Sequence, residues 1–330
     1  MTISQYRDDV DVQAECLRVL GNVCAHAIEN GRLVGLMSGA IQAVVDAMRR
    51  HGGSEDVQEH GCEALGVMCY DDAENRRLAG RSGAIEAAVD AMTHHGENEN
   101  VQGSGCGALM IMCSGKDENK RLAGRYGAIE AVVDAMRGYG GNEKVQENGC
   151  GALGHMCHDN DENGRLAGRH GAIQAVVDAM RGYGGNEKVQ ENGCGTLMIM
   201  CFDDAENRHL AGRSGAIEAV VDAIKDHGEN ENVQESGCLA LGFMCYDDAE
   251  NRRLAGRHGA IEAVVDAMKD HGENEKVQRS GCAALMSMTR HGGNENVRKK
   301  GYGNFVASLL WGLASLLWWL RRTNKSPTRR

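Results

Sequence analysis

Along most of the chain the apolar positions follow a pattern that returns every 44 residues. Its plainest copy is Gly259-Ala260-Ile261-Glu262-Ala263-Val264-Val265-Asp266-Ala267-Met268, and the phrase recurs nearly unchanged from Gly39, Gly83, Gly127, Gly171 and Gly215. Ile261, Val264, Val265 and Met268 stand at i, i+3, i+4 and i+7, one stripe of an α-helix, while Glu262 and Asp266 fall on the other side. Upstream, Asp247-x-x-Glu250 has the form of a capping box and predicts a short first helix over 250–257, ended by His258-Gly259. The recurring phrase predicts a second helix to about Lys269, and the polar stretch from Asp270 to Asn274 a turn. A third helix follows; in the preceding copy its pattern is Val233, Gly237-Cys238, Ala240-Leu241, Met244-Cys245. Amphipathic helices at a fixed period of this length predict a stacked array, in which each unit buries its apolar face on its neighbours. Function must then be sought on a surface.

Three helices in about 44 residues, with Glu-Asn…Leu…Gly-Ala-Ile opening a unit and Val-Gln…Ala-Leu closing it, resemble the armadillo repeat over roughly residues 9–303. Residues 1–28 form a partial repeat with a lone third helix, at about 11–24. The array occupies 29–303: six whole units to about residue 288, with one residue inserted between Leu33 and Gly39, then a lone first helix at 294–301. Residues 304–330 are an apolar segment plus a basic tail. The resemblance implies an all-α, right-handed α-solenoid whose third helices line a concave groove.

Copies differ most at three, six, ten and thirteen residues after the Val of the third helix, which is one helical face. Units 121–164 and 165–208 differ at only nine of 44 positions, and five of the nine lie in the third helix and the turn after it: Ala152/Thr196, Gly154/Met198, His155/Ile199, His158/Phe202 and Asn160/Asp204. Varied chemistry on a repeated scaffold predicts a partner-binding groove of His60, Glu63, Val67, Tyr70, Asn148, His155, His158, Phe202, Leu239, Phe243 and Tyr246, on a face that also carries Ser104, Gly107, Gly151 and Ile111. The bland account is drift at exposed positions. Nuclear-import adaptors of this family hold a basic peptide with a Trp and Asn ladder on the third helix. The matching positions here begin Glu63/Val67, Gly107/Ile111 and Gly151/His155, and only the N-terminal partial unit keeps an Asn, Asn22, with Arg18 at the Trp position, so classical import-signal recognition is not expected.

Charge and candidate chemistry narrow the picture. The formal charge is −11, yet residues 304–330 carry five bases and no acid, which leaves 31 bases against 47 acids, or −16, in residues 1–303. Nucleic acid is disfavoured, because phosphate contact needs a basic stripe. Of the 13 cysteines, most form pairs at C-x6-C, such as Cys62/Cys69, Cys150/Cys157 and Cys238/Cys245. Seven residues of helix span ~10.5 Å, too far for a disulfide or a shared zinc ion. Small buried core residues in a reducing compartment are expected, and a metal or redox role for them is the rival. Gly149 to Gly154 spells GxGxxG, but inside a third helix with no strand before it, so close helix approach explains the glycines better. Asp159-Asn160-Asp161-Glu162-Asn163-Gly164 begins like a calcium loop, yet its twelfth position is His170, and helix capping accounts for it. His155 and His158 stand at i, i+3, a spacing open to a metal or to two plain surface residues. No P-loop, HExxH or nucleophile elbow occurs. The expectation is no catalytic residue, no metal, no cofactor and no small-molecule substrate.

Residues 1–10 are polar, with Asp8 and Asp9, and carry no secretory signal. The other end breaks the pattern: 305–320 read FVASLLWGLASLLWWL, sixteen residues without a charge. As a helix that is ~24 Å, and ~30 Å if 301–304 join it, a marginal span. Phe305, Leu309, Trp311, Leu316, Trp318 and Trp319 are candidates for a membrane anchor, with Trp318-Trp319 beside Arg321-Arg322 as at a bilayer interface. Such an anchor would place the array on the cytoplasmic face of an intracellular membrane. Against it, Phe305 falls where every other copy has its second-helix Ile, so the run also reads as the end cap of a soluble docking or transport adaptor.

Overall fold

The computed structural model describes residues 6–26, 39–115 and 117–289, which hold 18 helices and no strand. In chain order, α1 is Val10–Ala25, α2 Ala40–Arg50, α3 Glu55–Cys69, α4 Ala73–Ser82, α5 Ala84–His94 and α6 Glu99–Met112. The next six are α7 Asp117–Arg125, α8 Ala128–Gly138, α9 Glu143–Cys157, α10 Asp161–His170, α11 Ala172–Gly182 and α12 Glu187–Cys201. The last six are α13 Ala205–Ser214, α14 Ala216–Asp226, α15 Glu231–Cys245, α16 Ala249–His258, α17 Ala260–Asp270 and α18 Glu275–Thr289. The third helices (α1, α3, α6, α9, α12, α15, α18) pack side by side in sequence order and form the most extensive contact of the array. The one-residue insertion between Leu33 and Gly39, the lone first helix at 294–301 and the whole apolar segment lie outside the described residues.

Each boundary has a local cause. First and second helices are joined by one glycine in the left-handed region, at φ 78° for Gly83 and 76° for Gly259, which a side chain would strain. Third helices are capped by Ser54, Asn98, Asn142, Asn186 and Asn230; Asn142 Oδ1, for example, accepts the Val145 N–H at 3.0 Å. The first-helix start differs by one residue from the capping box read in the sequence. Helix α16 begins at Ala249, and Asp248 rather than Asp247 accepts the Asn251 N–H, at 2.9 Å. Asp247 instead takes a left-handed turn at φ 53°, as do Asp71 and Asp159. Asn160, inside the calcium-like stretch, caps α10 by accepting from Asn163 at 3.1 Å.

The core is thin and aliphatic. Ile261, Val264, Val265 and Met268 are all at most 3% exposed, as the stripe requires, and Leu241 and Met244 are fully buried beside them. The glycine predicted to let helices approach does so: a Cβ on Gly149 would lie 2.5 Å from Met136 Cγ, and Gly61, Gly105, Gly193 and Gly281 seat the second-helix methionine of their own unit alike. The cysteines are free; twelve are buried and only Cys16 is part-exposed. Burial pushes the thiols of Cys62, Cys106, Cys150 and Cys238 up to about 12.

Units are stitched by polar ladders that the helical period does not reveal. The Nδ2 of Asn207 donates to Met200 O of its preceding third helix at 2.9 Å and to Gly164 O, one unit back, at 3.0 Å. Asn119, Asn163 and Asn251 make the same pair of bonds. A glycine of the preceding first helix clears the space: a Cβ at Gly80, Gly124, Gly168 or Gly212 would overlap the next asparagine's Oδ1. Within a unit, the buried Gln146 Nε2 ties third helix to second through Met136 O and Tyr139 O, both at 2.9 Å. On the far edge His95, His227 and His271 each donate from Nε2 to a glycine carbonyl one unit back at 2.7 Å, and the Tyr139 hydroxyl does so at 2.9 Å.

Candidate partner-binding face

The eleven residues singled out as groove candidates all stand on the third-helix side, none of them in the buried core. Tyr70, His155, His158, Phe202 and Tyr246 are exposed, Phe202 to 54%; His60, Glu63, Val67, Asn148, Leu239 and Phe243 are half-buried. Two neighbours on the same face are not available. Ser104 is buried under Lys144, whose Nζ lies 3.1 Å from its hydroxyl, and Gly151 is covered by Met110.

The face holds two recesses. The first, about 510 Å³, lies over α1, α3, α6 and α9 and is lined by Val67, Tyr70, Met110 and Ile111. A three-unit strut crosses its edge: Lys144 Nζ meets Glu63 Oε1 at 3.2 Å and Ser104 Oγ at 3.1 Å, joining residues 81 apart in sequence. Asn148 also spends its amide on the fold, donating to Gly103 O at 3.0 Å. The second recess, about 380 Å³, lies between the ends of α9, α12 and α15 and the start of α10. Its floor is Met198, Ile199, Phe202, Leu239 and Phe243, with the Phe202 and Phe243 rings edge to face at 5.0 Å and 75°. Its rim carries Asp159, Asp161, Asp203 and Asp204 against a single guanidinium, Arg165, 3.5 Å from Asp204. Tyr246 stands beyond, with the Arg208 guanidinium 5.8 Å from its ring centre.

An alternation with twice the unit period, written in the sequence beneath the 44-residue one, shapes both recesses. Nine residues after the Val stand Gly66, Met110, Gly154, Met198, Gly242 and Met286 in turn. Where glycine stands, the next third helix comes close: a Cβ on Gly242 would be 3.3 Å from Ala284 Cα. The glycine-bearing helices α3, α9 and α15 end in an extended residue, Tyr70, His158 or Tyr246, followed by the left-handed aspartate. Phe202, after the methionine-bearing α12, is helical at φ −53° and turns onto the floor.

Metal-like groupings are sparse. Among the described residues one set of three potential ligands converges, Glu59, His60 and Glu63, with atoms within 4.8 Å of one another. The Lys144 ammonium already sits on Glu63. His155 and His158 are not in that set; His158 Nδ1 is 3.1 Å from Asp159, and His155, though exposed at the surface, loses enough hydration to its surroundings to be held below the usual imidazole value.

No protein-family model matches the sequence, and no curated protein does. The fold has solved counterparts. An engineered protein superposes with a TM-score of 0.66 at 18% identity, over 77% of this chain and 97% of its own. A designed armadillo repeat protein gives 0.65 at 18%, over 76% and 100%. Another designed armadillo repeat protein, in complex with the peptide (KR)4, gives 0.63 at 18%, over 76% and 99%. At these identities the likeness speaks for architecture alone: the chain folds as an armadillo-type α-solenoid.

Proposed function

We propose that the chain is a non-enzymatic scaffold that holds a protein or peptide against its third helices. The observation that carries this reading is the placement of both apolar recesses on the face where units differ, while the inter-unit ladders repeat without change. Half-buried aromatic and aliphatic side chains in a recess are the kind of anchor that dominates binding energy. A designed neighbour of the same fold is in complex with a peptide, which is consistent with that use. Residues 1–303, at −16, disfavour nucleic acid.

The same reading tethers the array to a membrane through 305–320. No helix among the described residues is long and apolar enough to cross a bilayer, and 305–320 lies outside them. The capping alternative keeps one observation in its favour, the register of Phe305 with the second-helix isoleucines. Full-length protein and its Leu239→Ser/Phe243→Ser form, matched for helicity, should be compared in affinity capture. Partners held by the first and lost from the second support the groove; identical partner sets overturn it. Residues 301–330 fused to a fluorescent protein should sediment with membranes and resist carbonate extraction, and a freely soluble fusion leaves the capping account.

A further inference from the structure

The second recess pairs an apolar floor with an acidic rim, four carboxylates to one guanidinium. Its complement is a segment with bulky apolar side chains followed directly by cations. The chain contains one: Leu316-Leu317-Trp318-Trp319-Leu320-Arg321-Arg322, then Lys325, Arg329 and Arg330, with no acid after residue 303. No other stretch of the sequence joins tryptophan to paired arginines. Reach is not limiting. Helix α18, the last described, packs directly on α15, which carries Leu239 and Phe243, and packed helix axes lie ~8–10 Å apart. The 26 residues between Thr289 and Leu316 could extend to roughly 85 Å.

We propose that, in water, residues 316–322 dock in this recess of their own chain, with Trp318 and Trp319 on Phe202, Leu239 and Phe243 and the arginines toward Asp159, Asp161 and Asp203. Water penalises an uncovered run of sixteen uncharged, mostly apolar residues, and this recess answers both its aromatic part and its charge. The inference rests on reading the third-helix face as a binding surface and adds its regulation. Partner and C-terminal segment compete for one recess, so moving the segment into a bilayer frees the groove; by linkage, a groove partner favours the membrane-inserted form.

All three tryptophans, at 311, 318 and 319, lie in the apolar segment, so the intrinsic tryptophan emission of the full-length protein reports on that segment alone. Native protein without lipid or detergent should emit to the blue of the same chain in urea, independently of protein concentration. Asp159→Asn/Asp203→Asn and Phe202→Ser/Phe243→Ser should each move the emission toward the urea spectrum while helicity stays native, and added salt should move it the same way. An emission equal to that in urea overturns the proposal. So does a blue emission that ignores both pairs of substitutions, which would mean cover by the end of the array or by a second copy. Partner capture by Trp318→Ser/Trp319→Ser protein separates this inference from the reading beneath it. Capture raised several-fold supports self-occupancy. Unchanged capture that still depends on Leu239 and Phe243 removes self-occupancy and leaves the groove standing.

Discussion

The first-helix edge and the third-helix face of this array obey opposite rules. At the edge every described junction between whole units repeats one arrangement, an asparagine reaching two carbonyls across a glycine left bare for it. Across the array, the equivalent third-helix positions read Val67, Ile111, His155, Ile199 and Phe243, and after them Tyr70, Ser114, His158, Phe202 and Tyr246. A buried amide has few satisfied geometries, so a change at the edge loses buried hydrogen bonds that nothing nearby replaces. A half-exposed side chain has water as an alternative partner. The edge therefore holds the array together and the face is free to differ, which is the division of labour a binding scaffold needs.

The edge should break hardest. Asn207→Ala removes the side-chain donor from two buried carbonyls, Gly164 O and Met200 O, and should cost on the order of 2–5 kcal/mol, about 1–3 kcal/mol for each lost buried bond. Leu241→Ala, inside the stripe, belongs to the same range. Gly168→Ala comes next, at about 1–3 kcal/mol, because the added methyl overlaps Asn207 Oδ1 and the ladder must shift to admit it. Chemical denaturation of each variant measures these losses. If Gly168→Ala is neutral while Asn207→Ala is costly, the ladder bonds hold but the close approach that frames them is slack.

The face should respond in binding more than in stability. Leu239→Ser/Phe243→Ser exchanges half-buried apolar side chains, and Phe243 packs on the core and on the Phe202 ring. The expected loss is about 1–2 kcal/mol, more than the tenths typical of a fully exposed site, since the aromatic pair alone is worth ~0.5–1.5 kcal/mol. Calorimetry should show the array still melting cooperatively while partner capture fails. Unfolding of the double variant would place these residues in the core and overturn the distinction between edge and face.

Most of the fold was legible because it is periodic. Ile261, Val264, Val265 and Met268 announce a buried stripe, and Gly259 announces the link before it. The ladders were not legible, because Asn251 looks like any polar residue until the neighbouring unit, 43 residues away in sequence, is placed in hydrogen-bonding reach, and Gln234 does so until the second helix of its own unit brings the Ile224 and His227 carbonyls to it. The capping box failed by one residue: Asp247 and Asp248 are both good caps by type, and the choice between them turns on whether the chain leaves the third helix through a left-handed aspartate. On the face, Leu239 and Phe243 were found from variation alone, but the acidic rim was not. Asp159 and Asp203, 44 residues apart, meet beside that floor only because the turns after α9 and α12 are neighbours in the stack. Ser104 fails as a groove residue for a comparable reason, since the lysine that covers it, Lys144, is 40 residues on.

The smallest effects are expected at the cysteines, and they decide between packing and the metal or redox account. Cys238→Ala removes one buried sulfur from a tight site and should cost under about 1 kcal/mol, near the value of one buried methylene. A thiol reagent at neutral pH should label Cys16 quickly and the twelve buried thiols only on unfolding. The pH dependence has a definite sign. Burial raises the thiols of Cys62, Cys150 and Cys245 from 9.0 to about 12. The native state therefore binds protons that the unfolded chain releases between those values. Stability from this source is fully present below pH 9.0 and declines as pH rises toward 12. Denaturation midpoints measured from pH 8 upward should fall, and Cys238→Ala should fall less steeply than the parent because one titrating group is gone. A midpoint that drops instead on adding a chelator at neutral pH, or one that excess zinc raises in the parent but not in Cys238→Ala, would assign the cysteines to a metal and remove them from the packing core.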